Sequence, residues 1–320
     1  MVCTAPTLRR AWRAAHQRVA VELHLLPSLF DLAADAQGAP PSAACAPSPP
    51  PPSRFLLNSA NEFLAGAALA YFPRGGLPGQ PRNVLDEPED WANSSQWCGM
   101  DAGPGMLYPR QCLDGLTHQF LGGRRLADGR TGAGVRPTEL QRFIRDSVPA
   151  LGAGWKEDAA AAASPRPRLR RDPASAAQVR CPTGSAVWTP SFAASGEMQD
   201  RFPMGILHAV APYSDDPECE LLLQSCYMRC MELARTRAEI EREPGFQIAT
   251  ALLGTGVKGV APDIGAEALC AVIAGPGSDV QTTITWEVVV QEQEGFRAIE
   301  KALDSHAHMD CLAGSLLAQR

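Results

Sequence analysis

The sharpest chemical signal in this chain is the loop Gly254-Thr255-Gly256-Val257-Lys258-Gly259. It follows an apolar run over 247–253 and leads into Ala-Pro-Asp-Ile-Gly-Ala-Glu-Ala-Leu-Cys, which reads as the start of a helix. A glycine loop feeding a helix N-terminus presents unpaired backbone N–H groups and a partial positive dipole, which suits a diphosphate. Glycine is needed where a side chain would hold the backbone away from phosphate oxygens. The loop has neither the Gly-Lys-Ser/Thr ending of an ATPase phosphate loop nor the Gly-x-Gly-x-x-Gly spacing of a dinucleotide fold. Taken alone, a plain turn with convenient glycines explains the same residues.

The segments that must position this loop alternate in type. Strand-like runs occur at 19–26, 55–57, 186–189, 205–210, 247–253 and 282–290, and helical patterns at 218–242, 264–273 and 295–303. In the longest helix Leu222, Cys226 and Cys230 share one face, with Leu223, Tyr227 and Ala234 beside them, so that face is expected to pack into a core. No histidine or carboxylate nearby completes a metal set with Cys226 and Cys230. Alternating strands and helices imply an α/β layered domain with ligands at strand carboxyl ends.

Composition narrows the function classes. With 320 residues and 45% hydrophobic content the chain is long enough for a real core. A net charge of −6 argues against non-specific nucleic-acid binding. No apolar run approaches the roughly 20 residues of a membrane helix. The ten cysteines include no Cys-x-x-Cys pair, which argues against zinc ribbons and fingers; they are expected to be reduced in an intracellular, cytoplasmic or nuclear protein. The first 21 residues carry Arg9, Arg10, Arg13 and Arg18 and no acid, a pattern open to two readings, a basic lead-in or an organelle transit peptide.

Two stretches read as insertions. Residues 37–53 are proline-rich, and 121–180 are rich in Gly, Ala, Pro and Arg, with a short helix expected over 137–147. The basic run Arg166-Pro-Arg-Leu-Arg-Arg171 is open to reading as a nuclear-import signal, but its prolines and small neighbours favour a solvated loop.

Three segments in order resemble the macro domain, the ADP-ribose-binding α/β/α module. Phe55-Leu-Leu-Asn58-Ser59-Ala60-Asn61-Glu62-Phe63-Leu64 is similar to the family's Val-Asn-Ala-Ala-Asn-Glu segment. Cys181-Pro-Thr-Gly184-Ser-Ala-Val-Trp-Thr189-Pro190, then Ile206-Leu-His208-Ala-Val-Ala-Pro212, is similar to its Cys-x-x-Gly-x-Ala-x-x-Thr and Ile-His-Ala-Val-Gly-Pro strands. The loop Leu253–Gly259 matches its phosphate loop. The resemblance covers about 19–120 and 179–305. A fourth segment, Trp97-Cys-Gly99-Met100-Asp101-Ala102 followed by 106–120, stands where the family has Gly-Gly-Gly-Val-Asp-x-Ala-Ile-His, displaced by an insertion over 65–96.

The resemblance implies a three-layer α/β/α domain with a six-stranded mixed sheet and long loop insertions. It divides the chain into a lead-in (1–18), a domain (19–305) interrupted at 37–53, 65–96 and 121–180, and a tail (306–320). It implies binding of ADP-ribose or an ADP-ribosylated protein, without a cofactor or metal and without a membrane partner; the sequence fixes no oligomeric state. Gly254, Thr255, Gly256, Val257, Lys258 and Gly259, with Gly99, are then the candidates for the ligand, and Asn61, with Asn58, for ribose hydroxyls. Asparagines that merely tie down a strand-end turn are the alternative. Asp101 is the candidate for orienting a hydrolytic water, or else it caps a helix. His208 reads as structural, and His306, His308 and Asp310 as surface residues of the tail.

Two positions depart from the family. Its adenine-reading Gly-Asp-Ile is replaced by His24-Leu-Leu-Pro27-Ser28, with Asp31 the only nearby acid, and its ligand-stacking aromatic is missing at Lys258 and Val260. Losing one stack and one charged hydrogen bond costs on the order of 1–3 kcal/mol. Tyr71, Phe72 and Arg74 of the insertion are candidate replacements. Three functions follow: a hydrolase, a non-catalytic reader, or a scaffold with a changed pocket.

Overall fold

A computed structural model describes residues 9–14, 19–26, 53–62, 64, 113–123, 138–150, 179–192, 201–256, 258–275, 282–306 and 309–311. The strands are β1 (Arg9–Ala14), β2 (Val19–Leu25), β3 (Arg54–Ser59), β4 (Ala186–Thr189), β5 (Ile206–Ala209), β6 (Gly245–Thr250), β7 (Thr283–Val290) and β8 (Met309–Cys311). The helices are α1 (Leu113–Leu121), α2 (Glu139–Ser147), α3 (Cys219–Glu241), α4 (Pro262–Ala274) and α5 (Gln293–Ser305).

The strands form one sheet in the order β4-β5-β3-β6-β7-β2-β1-β8. From β5 to β2 every pairing is parallel, as crossover helices require, whereas β4, β1 and β8 run antiparallel at the edges. The mixed sheet therefore has eight strands rather than the six expected. The two extra strands come from the segments read as lead-in and tail. In β1 Trp12 is fully buried and donates Nε1–H to Asp304 Oδ1 at 3.0 Å, while Arg13 faces out. One inward tryptophan among arginines hides the strand in the sequence, and β8 joins by backbone pairing to β1.

Helices cover both faces. Val21, Leu23, Phe55, Leu57, Leu207, Trp286 and Val288 point toward α3, α4 and α5, whose Leu223, Tyr227, Leu269, Phe296 and Ile299 complete that core. Leu56, Ile206, Ala249 and Val289 point the other way, toward Leu121 of α1 and Leu140 and Ile144 of α2. This is the expected α/β/α arrangement. The face of α3 carrying Leu222, Cys226 and Cys230 is buried, as its spacing predicts. Within 121–180, α2 starts at Glu139 behind a capping box in which Thr138 and Gln141 satisfy each other's backbone N–H, so Pro137 precedes the helix instead of opening it. Among the described residues no helix is long and apolar enough to cross a membrane. The insertion 65–96 and most of 37–53 lie outside the described residues.

Candidate functional site

The carboxyl ends of β3, β5 and β6 converge at one edge of the sheet, and the polar groups buried there form one network. Asn58, the fifth residue of β3, is fully buried and donates Nδ2–H to Asp114 Oδ1 of α1 at 2.7 Å. Asn61, just past the strand, donates to Asp114 Oδ2 at 3.4 Å. Asn58 Nδ2 also lies 3.2 Å from His208 Nδ1, and His208 Nε2 lies 2.9 Å from Thr189 Oγ1. With Nδ1 facing the asparagine donor, His208 is neutral and carries its proton on Nε2. Burial, with the charge of His118 as a lesser cause, lowers its pKa to about 3. His208 is thus the structural histidine expected.

Asp114 was not singled out by the sequence reading, yet it is the carboxylate at the centre of the network. Asp101, the residue chosen for that role, lies outside the described residues, as do Gly99 and Val257. A usable signal was present: Leu113-Asp114-Gly115-Leu116-Thr117-His118 keeps the aspartate-to-histidine spacing of Val-Asp-x-Ala-Ile-His. Loss of the preceding glycine run concealed it, and Gly99 drew attention upstream. In α1 the pair meets one turn apart, His118 Nε2 being 3.8 Å from Asp114 Oδ1. Burial raises the Asp114 pKa, opposed by His118, the Asn58 hydrogen bond and Lys258. Burial lowers that of His118, opposed by Asp114.

The glycine loop closes over this edge. Gly254 has φ +79° and Gly259 φ +69°, conformations that disfavour any other residue. A Cβ on Gly254 would also approach Val260 Cγ2 to 2.7 Å, whereas Gly256 is exposed and has open space. The turn is held by Gly259 N–H to Gly256 O and Val260 N–H to Gly254 O. The backbone N–H groups of Gly254, Thr255 and Gly256 find no acceptor among the described residues. Thr255 Oγ1 donates to Leu252 O at 3.0 Å, fixing the loop to the end of β6. Beyond the loop α4 begins with Pro262 and has no side-chain cap.

Lys258, one of the candidates for the ligand, turns inward. It is buried, with Nζ donating to Ala60 O at 3.3 Å and to Ala211 O, residues just beyond β3 and β5, and its Nζ lies 5.5 Å from the centre of the Tyr213 ring. Burial lowers its pKa to about 8, against the pull of Cys226, Glu62 and Asp114. A cation therefore stands at the strand ends next to the loop, where an anionic group would enter.

A macro domain family model matches residues 152–269, a stretch that contains β4, β5, α3, β6, the loop and the first part of α4. This chain carries a macro domain. The match holds the second and third segments of the sequence resemblance. Asn58, Asn61 and Asp114 lie outside the match but join the macro domain's sheet edge through the contacts above. Loose likenesses in solved structures include an Oceanobacillus iheyensis macrodomain with ADP (14% identity, TM-score 0.44, 92% of this chain and 96% of that one). A mutant of that macrodomain with ADPR gives 13% identity and a TM-score of 0.45, over 93% and 97%. A Trypanosoma brucei macrodomain in complex with ADP-ribose gives 12% and 0.40, over 88% and 68%. No curated protein matches the sequence.

Proposed function

We propose that this macro domain binds ADP-ribose, free or attached to protein, and that it hydrolyses the ADP-ribosyl linkage. The observation that carries the reading is one end of the sheet bearing three loop N–H groups with no acceptor among the described residues, a buried cation and a carboxylate held by two asparagines. The parts divide by chemistry. The N–H groups of Gly254, Thr255 and Gly256, the uncapped start of α4 and Lys258 all favour a diphosphate. Asn61 offers donor and acceptor together, the complement of vicinal ribose hydroxyls. Its contact to Asp114, at 3.4 Å, is the longer of the two asparagine contacts to that carboxylate.

For hydrolysis, Asp114 takes the role first assigned to Asp101. A carboxylate beside the distal ribose accepts a proton from water, or orients that water, as the water oxygen bonds to the anomeric carbon; the bond from that carbon to the modified side chain breaks, and the side-chain group leaves with its electron pair. Asn58 fixes Oδ1 at 2.7 Å, while Oδ2, with the longer Asn61 contact, is the oxygen offered to ligand and water. Burial raises the Asp114 pKa, which makes its carboxylate a stronger base than an exposed aspartate.

A second reading is a reader or scaffold without turnover, and one feature favours it: Lys258 Nζ is already satisfied by the Ala60 and Ala211 carbonyls. Release of ADP-ribose from a modified protein separates the two. For a hydrolase, Asp114→Asn lowers the rate by about a hundredfold or more while ADP-ribose still binds. Equal rates for the native chain and the variant leave the reader.

A further inference from the structure

The α1/α2 face of the sheet also carries a row of polar side chains across four strands. Arg54 of β3 donates Nη2–H to Glu287 Oε1 of β7 at 2.9 Å and Nε–H to Gln247 Oε1 of β6 at 3.1 Å. Glu22 of β2 stands directly beside Glu287 in the parallel register, with His24 two residues on along the same face. Glu22 and Glu287 are like charges placed side by side, and Arg54 pairs with Glu287.

Two buried atoms in this row are left over. His24 Nε2 and Glu287 Oε2 have no hydrogen-bond partner among the described residues. Arg54 Nε lies 2.7 Å from Glu287 Oε2, but its hydrogen is directed at Gln247, so the carboxylate oxygen keeps a free lone pair. His24 is only 7% exposed, and its Nε2 lies 3.6 Å from Glu22 Oε2. One ligand atom from each of Glu22, His24 and Glu287 lies within 4.8 Å of the other two. Ligands about 2.1 Å from a tetrahedral zinc stand about 3.4 Å apart, so the three are slightly wider than a closed metal site.

We propose that Glu22, His24 and Glu287 bind a divalent first-row transition cation, zinc for preference, that ties β2 to β7. One imidazole nitrogen and two carboxylate oxygens form a borderline ligand set, and water fills the fourth position. Arg54 orients Glu287 from behind, the part an outer partner plays for a ligating carboxylate. A cation replaces the repulsion between the carboxylates with attraction and gives both unpartnered atoms a bond. The cluster uses none of the residues of the strand-end network, although His24, near the end of β2, lies level with Asn58 across the parallel strands.

The test uses the full chain after treatment with chelator. Zinc is titrated by calorimetry and cobalt by visible absorption, for the native chain, Glu22→Gln and His24→Ala. The proposal expects one zinc per chain, a rise in melting temperature, and a tetrahedral cobalt spectrum without thiolate charge-transfer bands. Both variants then bind at least tenfold more weakly. Glu22→Gln, which removes one of two adjacent carboxylates, melts no lower than the native chain when metal-free, so it carries the test if His24→Ala does not fold. Absence of stoichiometric binding, thiolate bands that move the metal to the cysteines, or affinity unchanged in Glu22→Gln would each overturn the site.

Discussion

On the face covered by α3, α4 and α5 the sheet buries Leu23, Trp286, Val288 and Phe296, while on the other face the same strands turn Arg54, Asn58, His208 and Glu287 inward. The first face is held by apolar burial, which is non-directional and insensitive to small changes of geometry. The second combines a smaller apolar cluster around Leu56, Leu121, Leu140 and Ile144 with buried polar groups, each of which costs stability unless its hydrogen bond is made. Both candidate binding features, the strand-end network and the Glu22–His24–Glu287 cluster, belong to the second face. The larger apolar core thus lies on one side of the sheet and the polar groups on the other.

The largest expected effects test that division directly. Phe296→Ala on the apolar face costs about 3–5 kcal/mol in urea unfolding and leaves ADP-ribose affinity of the folded protein unchanged. Arg54→Ala costs a similar amount, about 3–5 kcal/mol, because it strands the buried Glu287 carboxylate. The faces differ in the double change. Arg54→Met with Glu287→Leu is expected to be neutral or stabilising in metal-free protein, since well-packed apolar groups replace an ion pair without its desolvation cost. A double variant as unstable as Arg54→Ala would show that the polar row is a net source of stability.

The next effect depends on pH. Lys258 has a folded pKa of about 8 against an ordinary 10.5. Below pH 8 both folded and unfolded chains hold the proton, and the cost of burying the cation is fully present. Between pH 8 and 10.5 the unfolded chain binds more protons, so stability rises with pH; above 10.5 the amine is neutral in both. The native chain minus Lys258→Met, measured as urea midpoints across this window, should show that rise. A flat difference would mean that Lys258 is solvated.

The smallest effects compare two glycines in one loop. Gly254→Ala places a side chain at φ +79° against Val260 and should cost about 1–2 kcal/mol. Gly256→Ala meets open space and should stay within about 0.5 kcal/mol in a thermal melt.

Much of the fold was legible because its strands and helices carry clean periods. All six expected strands and the three main helices form, and the longest helix buries the face its spacing marks. The edge strands were not legible: β1 has one inward Trp12 among arginines, and β8 is only three residues long and pairs with β1. At the site, Asn58 and Asn61 stood out because strand-end asparagines are specific in type and position. Asp114 did not, because it opens a helix far along the chain, and only the contacts of Asn58 and Asn61 reveal it. The burial of Lys258 was equally hidden. A lysine among glycines reads as solvated, and its acceptors, Ala60 and Ala211, are distant in sequence.

The central claim, an ADP-ribose site at the carboxyl ends of β3, β5 and β6, is tested most directly by calorimetric titration of the full chain with ADP-ribose, AMP and ribose 5-phosphate. The account predicts saturable heat for ADP-ribose alone and affinity at least tenfold weaker in Asn61→Ala. No heat with ADP-ribose, or equal binding of AMP, would contradict it.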